Sequence, residues 1–391
     1  MTPSPARYVK RGSPTLNLTI NVHHLLYGED LEDLGRSHII VENGTIKEIG
    51  QGWRNDPDFI GGVALPLPSN AHVHLNDYRA LDRYYGLSLA EYVGSKGLKH
   101  PLIRLYKEPL LTEELLNVLI QYRVIVDYQE LFPLCREYQE ILGKYGILYY
   151  GLSRPSSWHD ENELFNVIML CSGVGISNPS HIPSTALPLL AQISLSKIVS
   201  AHVSETKYME ETGGLHYLIN SRIKLKHIVH GVYLEDWELK FLADNDIALV
   251  ITPRSNIWFL NKLPNVLKAL EYGVVLALGT DNAGCFHPDV WLDAYYLHSL
   301  LKIEPKKVLE MILINGYKAI GEKPVYIYEG EKAFFMVADL GLANERSGNI
   351  YLSLINRILW SKQKLIIKYD RMYLLGSKME KMVIRSNEYK A

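Results

Sequence analysis

Cysteine is scarce in this sequence, with only Cys135, Cys171 and Cys285 among 391 residues. An odd number at wide spacings makes no disulfide framework, and no C-x-x-C pair is present to start a zinc knuckle. Long apolar runs are missing too. Met1 to Pro14 holds no apolar core of signal-peptide length. Ile247 to Ile251 and Val274 to Leu278 fall far short of the roughly 20 residues that span a bilayer. Charge of one sign is also lacking: the formal net charge is -2, which gives no electrostatic case for nucleic acid or an anionic membrane surface. These absences make an intracellular, reducing compartment, the cytoplasm, the expected location.

Several catalytic signatures are absent as well. The sequence has no G-x-S-x-G elbow, no phosphate loop and no H-E-x-x-H. The H-x-E and P-C-x-x-C pair of the small zinc deaminase fold is not found either. Gly173-Val174-Gly175 lacks the third glycine of a dinucleotide fingerprint, because Asn178 holds that position.

What is present is a soluble composition, 47% hydrophobic and 21% charged, in a chain long enough for one large domain and a small one. From Thr15 to Leu67 the text reads as short strands, with Asn43-Gly44 as a hairpin turn between Ile39-Ile40-Val41 and Ile46 to Gly50. From about Ala64 to Ile320 short apolar runs alternate with helical text such as Thr112 to Tyr122, Cys135 to Tyr145, Glu235 to Asn245 and Asn265 to Tyr272. The runs read as strands end near His74, Val126, Leu152, Ile176, Val203, His230, Ile251 and Thr280. Eight such alternations over ~250 residues predict a (β/α)8 TIM barrel, with a doubly wound sheet as the competing architecture. After Gly321 the helical text stops, and Ala333 to Val337 and Lys364 to Lys368 read as strands. The expected organisation is a barrel over 66–320 beside a small discontinuous β-domain built from 1–65 and 321–391.

His72-Val73-His74 puts two imidazoles on one face of the first barrel strand. Imidazole suits zinc and iron, yet 14 histidines in 391 residues yield about 0.5 such pairs by chance. Position strengthens the pair, because it lies at the C-terminal strand end where barrel enzymes place their sites. Later strand ends carry His202 with Glu205, then His230, then Asp281. Each has a structural alternative: His202 as a core histidine, Glu205 as a first-turn carboxylate, Asp281 as a helix N-cap. His227 and His230, three apart, do not both face inward from a regular strand, and His230 is nearer the strand end. His181 and His287 sit on loops that could border a pocket.

With these residues in view, Pro66-Leu67-Pro68-Ser69-Asn70-Ala71-His72-Val73-His74 resembles the amidohydrolase superfamily pattern P-G-x-x-N-x-H-x-H, with Leu67 for glycine. His202 to Glu205 resembles its fifth-strand H-x-x-E, His230 its sixth-strand histidine, and Thr280-Asp281 its eighth-strand aspartate. Thr252-Pro253-Arg254-Ser255-Asn256 resembles C-P-R-S-N, with Thr252 for cysteine. The likeness is strongest to the group of cytosine, guanine and adenosine-type deaminases and triazine hydrolases, including archaeal members of unassigned substrate. It implies one divalent metal ion, zinc first and iron second, held by His72, His74, His202 and Asp281, with Glu205, His230 and Asp281 as catalytic groups. The fourth strand, Val167 to Ile176, offers neither the lysine nor the glutamate that bridges two metals. The resemblance further implies hydrolytic deamination of a small amino-substituted heterocycle, a purine, pyrimidine or related ring. A homodimer is left open. Loss of chloride, of an alkylamine or of a cyclic amide bond stays open too, as does an inactive barrel serving as a binding module, against which the retention of all six polar groups argues. Two loops depart from the pattern, Asn178 to Thr185 and Leu75 to Arg79, as does Phe334, which stands where aspartate is usual after Ala333.

Overall fold

The computed structural model describes Arg7–Tyr8 and residues 16–376. Its centre is a ring of parallel strands: Ser69–His74, Val124–Gln129, Leu148–Ser153, Gly173–Ile176, Ile198–Val203, His227–His230 and Ala248–Ile251, with an eighth strand in two pieces, Leu276–Leu278 and Asp281–Asn282. Leu276–Leu278 pairs with the seventh strand, while Asp281 and Asn282 align with Val73 and His74 of the first. The ring therefore closes as a (β/α)8 barrel. Strands such as Ala248-Leu249-Val250-Ile251 are buried throughout, as parallel strands covered on both faces must be. Their ends fall within three residues of the positions that the apolar runs predict.

The break in the eighth strand falls where the backbone leaves no room for a side chain. Gly279 passes so close to the first strand that a Cβ there would lie 2.6 Å from His72 O and 2.7 Å from His72 Cβ. The Thr280 amide then donates to His72 O at 2.8 Å, and the chain turns through Asp281 at φ +59°, the left-handed region that non-glycine residues seldom occupy.

Beside the barrel lie a seven-stranded sheet and a four-stranded sheet. The larger joins both ends of the chain: Val63–Pro66 pairs antiparallel with Phe334–Ala338, followed by Gln363–Lys368 and Arg371–Gly376. Leu18–Val22, Ser37–Glu42 and Thr45–Gln51 belong to the smaller. Asn43 and Gly44 have φ of 53° and 72°, the positive pair that the tight hairpin requires. Leu18, Ile20, Ile39 and Val41 from one sheet share a core with Phe335, Leu365 and Ile367 from the other. The Arg123 guanidinium stacks 4.0 Å above Phe334, so the residue in place of the usual aspartate packs this sheet onto the barrel base.

Two expectations are corrected. Helices do occur after Gly321: Ala343–Arg346 and Ile350–Arg357. Asn349 caps the second through its side chain, and Ile350, Leu354 and Ile355 are buried, so the apolar spacing was helical and the absence of a breaker let it form. Cysteine scarcity does not mean unpaired cysteines, because Cys135 and Cys171 form a disulfide across a Cα–Cα distance of 5.2 Å. Cys135 lies on the helix Pro133–Gly143 and Cys171 directly follows Glu161–Leu170, neighbouring helices of the outer ring. Folding closes a separation of 36 residues. Cys285 is free and buried.

Candidate metal centre

The strand ends bring the predicted groups together inside the C-terminal mouth. His72, His202, His230 and Asp281 offer ligand atoms that all lie within 4.8 Å of one another. His74 borders this group, its Nε2 3.5 Å from Asp281 Oδ1, and His72 Nε2 is 3.3 Å from the same oxygen. Glu205 completes the arrangement, with Oε1 3.7 Å from His230 Nε2. His227 turns elsewhere, its Nδ1 3.1 Å from Ala319 O. His181 and His287 are exposed. Asp281 caps no helix; Asp289 caps the next one, Val290–Leu301. Glu205 precedes the Lys207–Glu211 helix, whose N-cap is Thr206.

Each side chain is held by a neighbour that the motif spacing explains only in part. Asn70 exchanges two hydrogen bonds with Thr280, Nδ2 to Oγ1 at 2.8 Å and Oδ1 from the amide at 3.2 Å. This ties the first strand to the eighth just below the cluster. Ser255 Oγ donates to Asp281 Oδ2. Arg254 is clamped to the buried Asp293, with Nε and Nη2 at 3.0 and 2.6 Å from Oδ2, which fixes the helix Pro253–Leu260 over the site. His202 Nδ1 faces Ile176 O at 3.1 Å. The Tyr128 ring stands 4.6 Å from His72 and 4.8 Å from His202, edge to face, as a floor.

Burial sets the charge states. It holds the His72, His74, His202 and His230 imidazoles below their ordinary pKa and so neutral. Burial also works to raise Asp281, but its contacts with His72, His230 and His74 outweigh that and keep the carboxyl well below its usual range. Glu205 goes the other way: burial, aided by the Asp281 charge, pushes it up to about 8. Two carboxyls in one site are thus driven apart, one ionised and one protonated at neutral pH.

His72 shows what the group is suited to hold. It is fully buried, and among the described residues neither ring nitrogen has a hydrogen-bond partner; His74 Nδ1 lacks one as well. Leaving such a group unsatisfied costs about 1–3 kcal/mol. Neutral imidazoles converging with one ionised carboxylate are the donor set of a divalent cation, so the residues fit a metal.

Three further groups escaped the sequence reading. Lys99, buried at the start of the helix Lys99–Arg104 between the first and second strands, donates to the buried Asp77 at 2.8 Å, and Asn282 Nδ2 reaches the same oxygen at 2.5 Å. One carboxylate thereby ties the turn after His74 to the residue after Asp281. Asp127, at the second strand end, accepts from the Leu75 amide at 2.9 Å and the Tyr149 hydroxyl at 2.6 Å. Burial pushes Asp127 up to about 7. No spacing signals these pairs, because the partners stand 22, 52 and 205 residues apart.

The amidohydrolase family pattern matches residues 170–366, about half of the chain. The chain belongs to the amidohydrolase family. This amidohydrolase is 28% identical to an uncharacterised Methanocaldococcus jannaschii protein, over 85% of this chain and 93% of the relative. It is 28% identical to a putative aminohydrolase of Methanothermobacter thermautotrophicus (82% and 90% covered). With a 5-methylthioadenosine/S-adenosylhomocysteine deaminase of Thermococcus sibiricus it shares 26% identity (88% and 90% covered). Its fold is that of a zinc-bound adenosine deaminase from Xanthomonas campestris, with a TM-score of 0.73 at 16% identity over 90% of this chain and 92% of the other.

Proposed function

We propose that this amidohydrolase is a cytoplasmic, metal-dependent deaminase that acts on the 6-aminopurine ring of nucleosides altered at the 5′ position. The observation that carries this reading is the pairing of a buried, unsatisfied donor set with a carboxyl, Glu205, that keeps its proton at neutral pH. The Thermococcus sibiricus relative's name supports the substrate class. No helix of the described residues is long and apolar enough to cross a membrane.

His72, His74, His202 and Asp281 would hold one divalent ion, zinc ahead of iron. When bound, such an ion lowers the pKa of water from 15.7 to about 7 and so supplies a nucleophile at neutral pH. The protein groups handle the protons. Asp281, ionised, accepts one from the attacking water. Glu205 gives its proton to a ring nitrogen, so negative charge does not accumulate on the ring as the C–O bond forms. His230, 3.7 Å from Glu205, holds the new oxygen on the tetrahedral carbon. Asp281 passes the proton it took from water to the amino group, the hydroxyl proton returns to Glu205 as the carbonyl forms, the C–N bond breaks and ammonia leaves. Water and the aminopurine become a 6-oxopurine, a cyclic amide, and ammonia, with no redox change.

The test is ammonia release by zinc-loaded protein over a panel: methylthioadenosine, S-adenosylhomocysteine, adenosine, guanine, cytosine and a chlorotriazine. Turnover of the 5′-thioether adenosines above the rest is expected. Zinc-loaded protein that releases ammonia from none of the adenine nucleosides overturns the assignment.

A further inference from the structure

His202 and His230 are neighbours, with ring centroids 5.1 Å apart, yet their far edges meet opposite chemistry. His202 Nδ1 faces the Ile176 carbonyl. A carbonyl only accepts, so Nδ1 carries the proton and Nε2 keeps a lone pair for a metal. His230 Nδ1 faces Asn256 Nδ2 at 3.0 Å, and an amide nitrogen only donates. The Thr252 hydroxyl stands 3.0 Å from the same ring atom and 3.4 Å from Asn256 Oδ1; a hydroxyl can serve either way and follows the amide.

We propose, on the functional reading above, that Asn256 is a positioning residue that fixes the tautomer of His230: its amide holds the proton on Nε2, so the ring donates a hydrogen bond toward the cluster instead of entering the metal's ligand set. This explains how His230 can lie within ligand distance of the other donors and still serve the reacting oxygen. The device is rigid. Asn256 and Thr252 are fully buried and His230 nearly so, so water does not replace either partner. Asn256 sits in the first turn of Pro253–Leu260, with its own amide bonded to Thr252 O at 3.0 Å. His230 is held at φ +72°, a backbone state that is maintained only where its surroundings enforce it.

The direct test reads the wild-type ring. Zinc-loaded protein carrying ¹⁵N in its histidine side chains is examined by long-range proton–nitrogen correlation, with His230 identified by the signals lost in His230→Gln. An unprotonated Nδ1 and a protonated Nε2 are expected; a protonated Nδ1 on His230 overturns the proposal. The second arm is Asn256→Asp, whose carboxylate would accept a proton from Nδ1 and free the Nε2 lone pair. In cobalt(II)-loaded protein, matched for folding by thermal unfolding, the visible absorption should change as a further nitrogen joins the metal. Metal release into a chelator should slow, and deamination should fall by at least about 10²-fold, the lower range for loss of acid–base assistance. Unchanged cobalt absorption in a folded Asn256→Asp also overturns it. If the wild type turns over nothing in the substrate panel, the deaminase reading fails while the nitrogen spectra still decide the tautomer.

Discussion

The two ends of the barrel bury charge in different ways. At the base, Lys368 Nζ ends on the Tyr122 carbonyl at 2.7 Å and Lys364 Nζ on Gln121 Oε1 at 2.7 Å; each buried amine has an acceptor that fixes the flanking sheet to the turn leading into the second strand. At the mouth, imidazoles and carboxylates converge with ring nitrogens left over. Both ends carry the desolvation cost. Both ends leave some hydrogen-bonding capacity unused, Arg123 Nε and His227 Nε2 at the base among it. The mouth, however, gathers three unpartnered imidazole nitrogens, on His72 and His74, beside the Asp281 carboxylate, and unused capacity in such a buried cluster marks a place for a ligand. Polarity alone does not distinguish scaffold from site.

Three perturbations would break or sharpen that contrast. The largest effect is expected from His72→Ala, which should lose bound metal and turnover together, read by metal analysis and ammonia release. Near-stoichiometric metal in this variant would show that the ligand set is wrong.

Next comes Glu205→Gln, expected to keep its metal while turnover drops about 10²–10⁴-fold. The metal-free protein adds a pH signature. Glu205 is raised in the fold to about 8 from an unfolded value near 4.3, so the folded state holds a proton that the unfolded chain releases in that window. Its stability contribution is fully present below the lower value and is lost as pH rises through the upper one. The thermal advantage of the glutamine variant over wild type should therefore grow between those values and level off above them. An advantage independent of pH would place the carboxyl outside the buried cluster.

The smallest effect is at the base. Burial, joined by Arg123 and Arg371, holds Lys368 well below the ordinary lysine pKa. A depressed folded pKa contributes stability that is lost as pH falls from the unfolded value near 10.4, so at neutral pH this amine is a burden. Lys368→Met should raise stability at pH 7 by about 1–3 kcal/mol, the desolvation relieved less one hydrogen bond, and the gain should shrink toward pH 10. Chemical denaturation at the two pH values checks this. Loss of activity from this variant would undo the distinction between the two ends.

Much of the fold is legible because barrel strands are apolar runs at regular intervals, and the one-dimensional text carries that period directly. His72 and His74 announce themselves through the two-residue repeat of a strand. The helix Ile350–Arg357 is harder to read because eight residues repeat the helical period barely twice, and packing on Val290–Leu301 and Pro305–Glu310 supports it. The Cys135–Cys171 bond and the Lys99–Asp77 pair left no trace, since nothing local links their members.

The sequence by itself determined the alternation that builds a barrel and the chemical types gathered at its strand ends, because periodicity and side-chain chemistry are properties of neighbours along the chain. Tertiary structure alone decided which nitrogen of each histidine is free, which carboxyl keeps its proton and which lysine is a scaffold. Those outcomes depend on burial and on partners up to 246 residues away, where only the closed barrel brings them into contact.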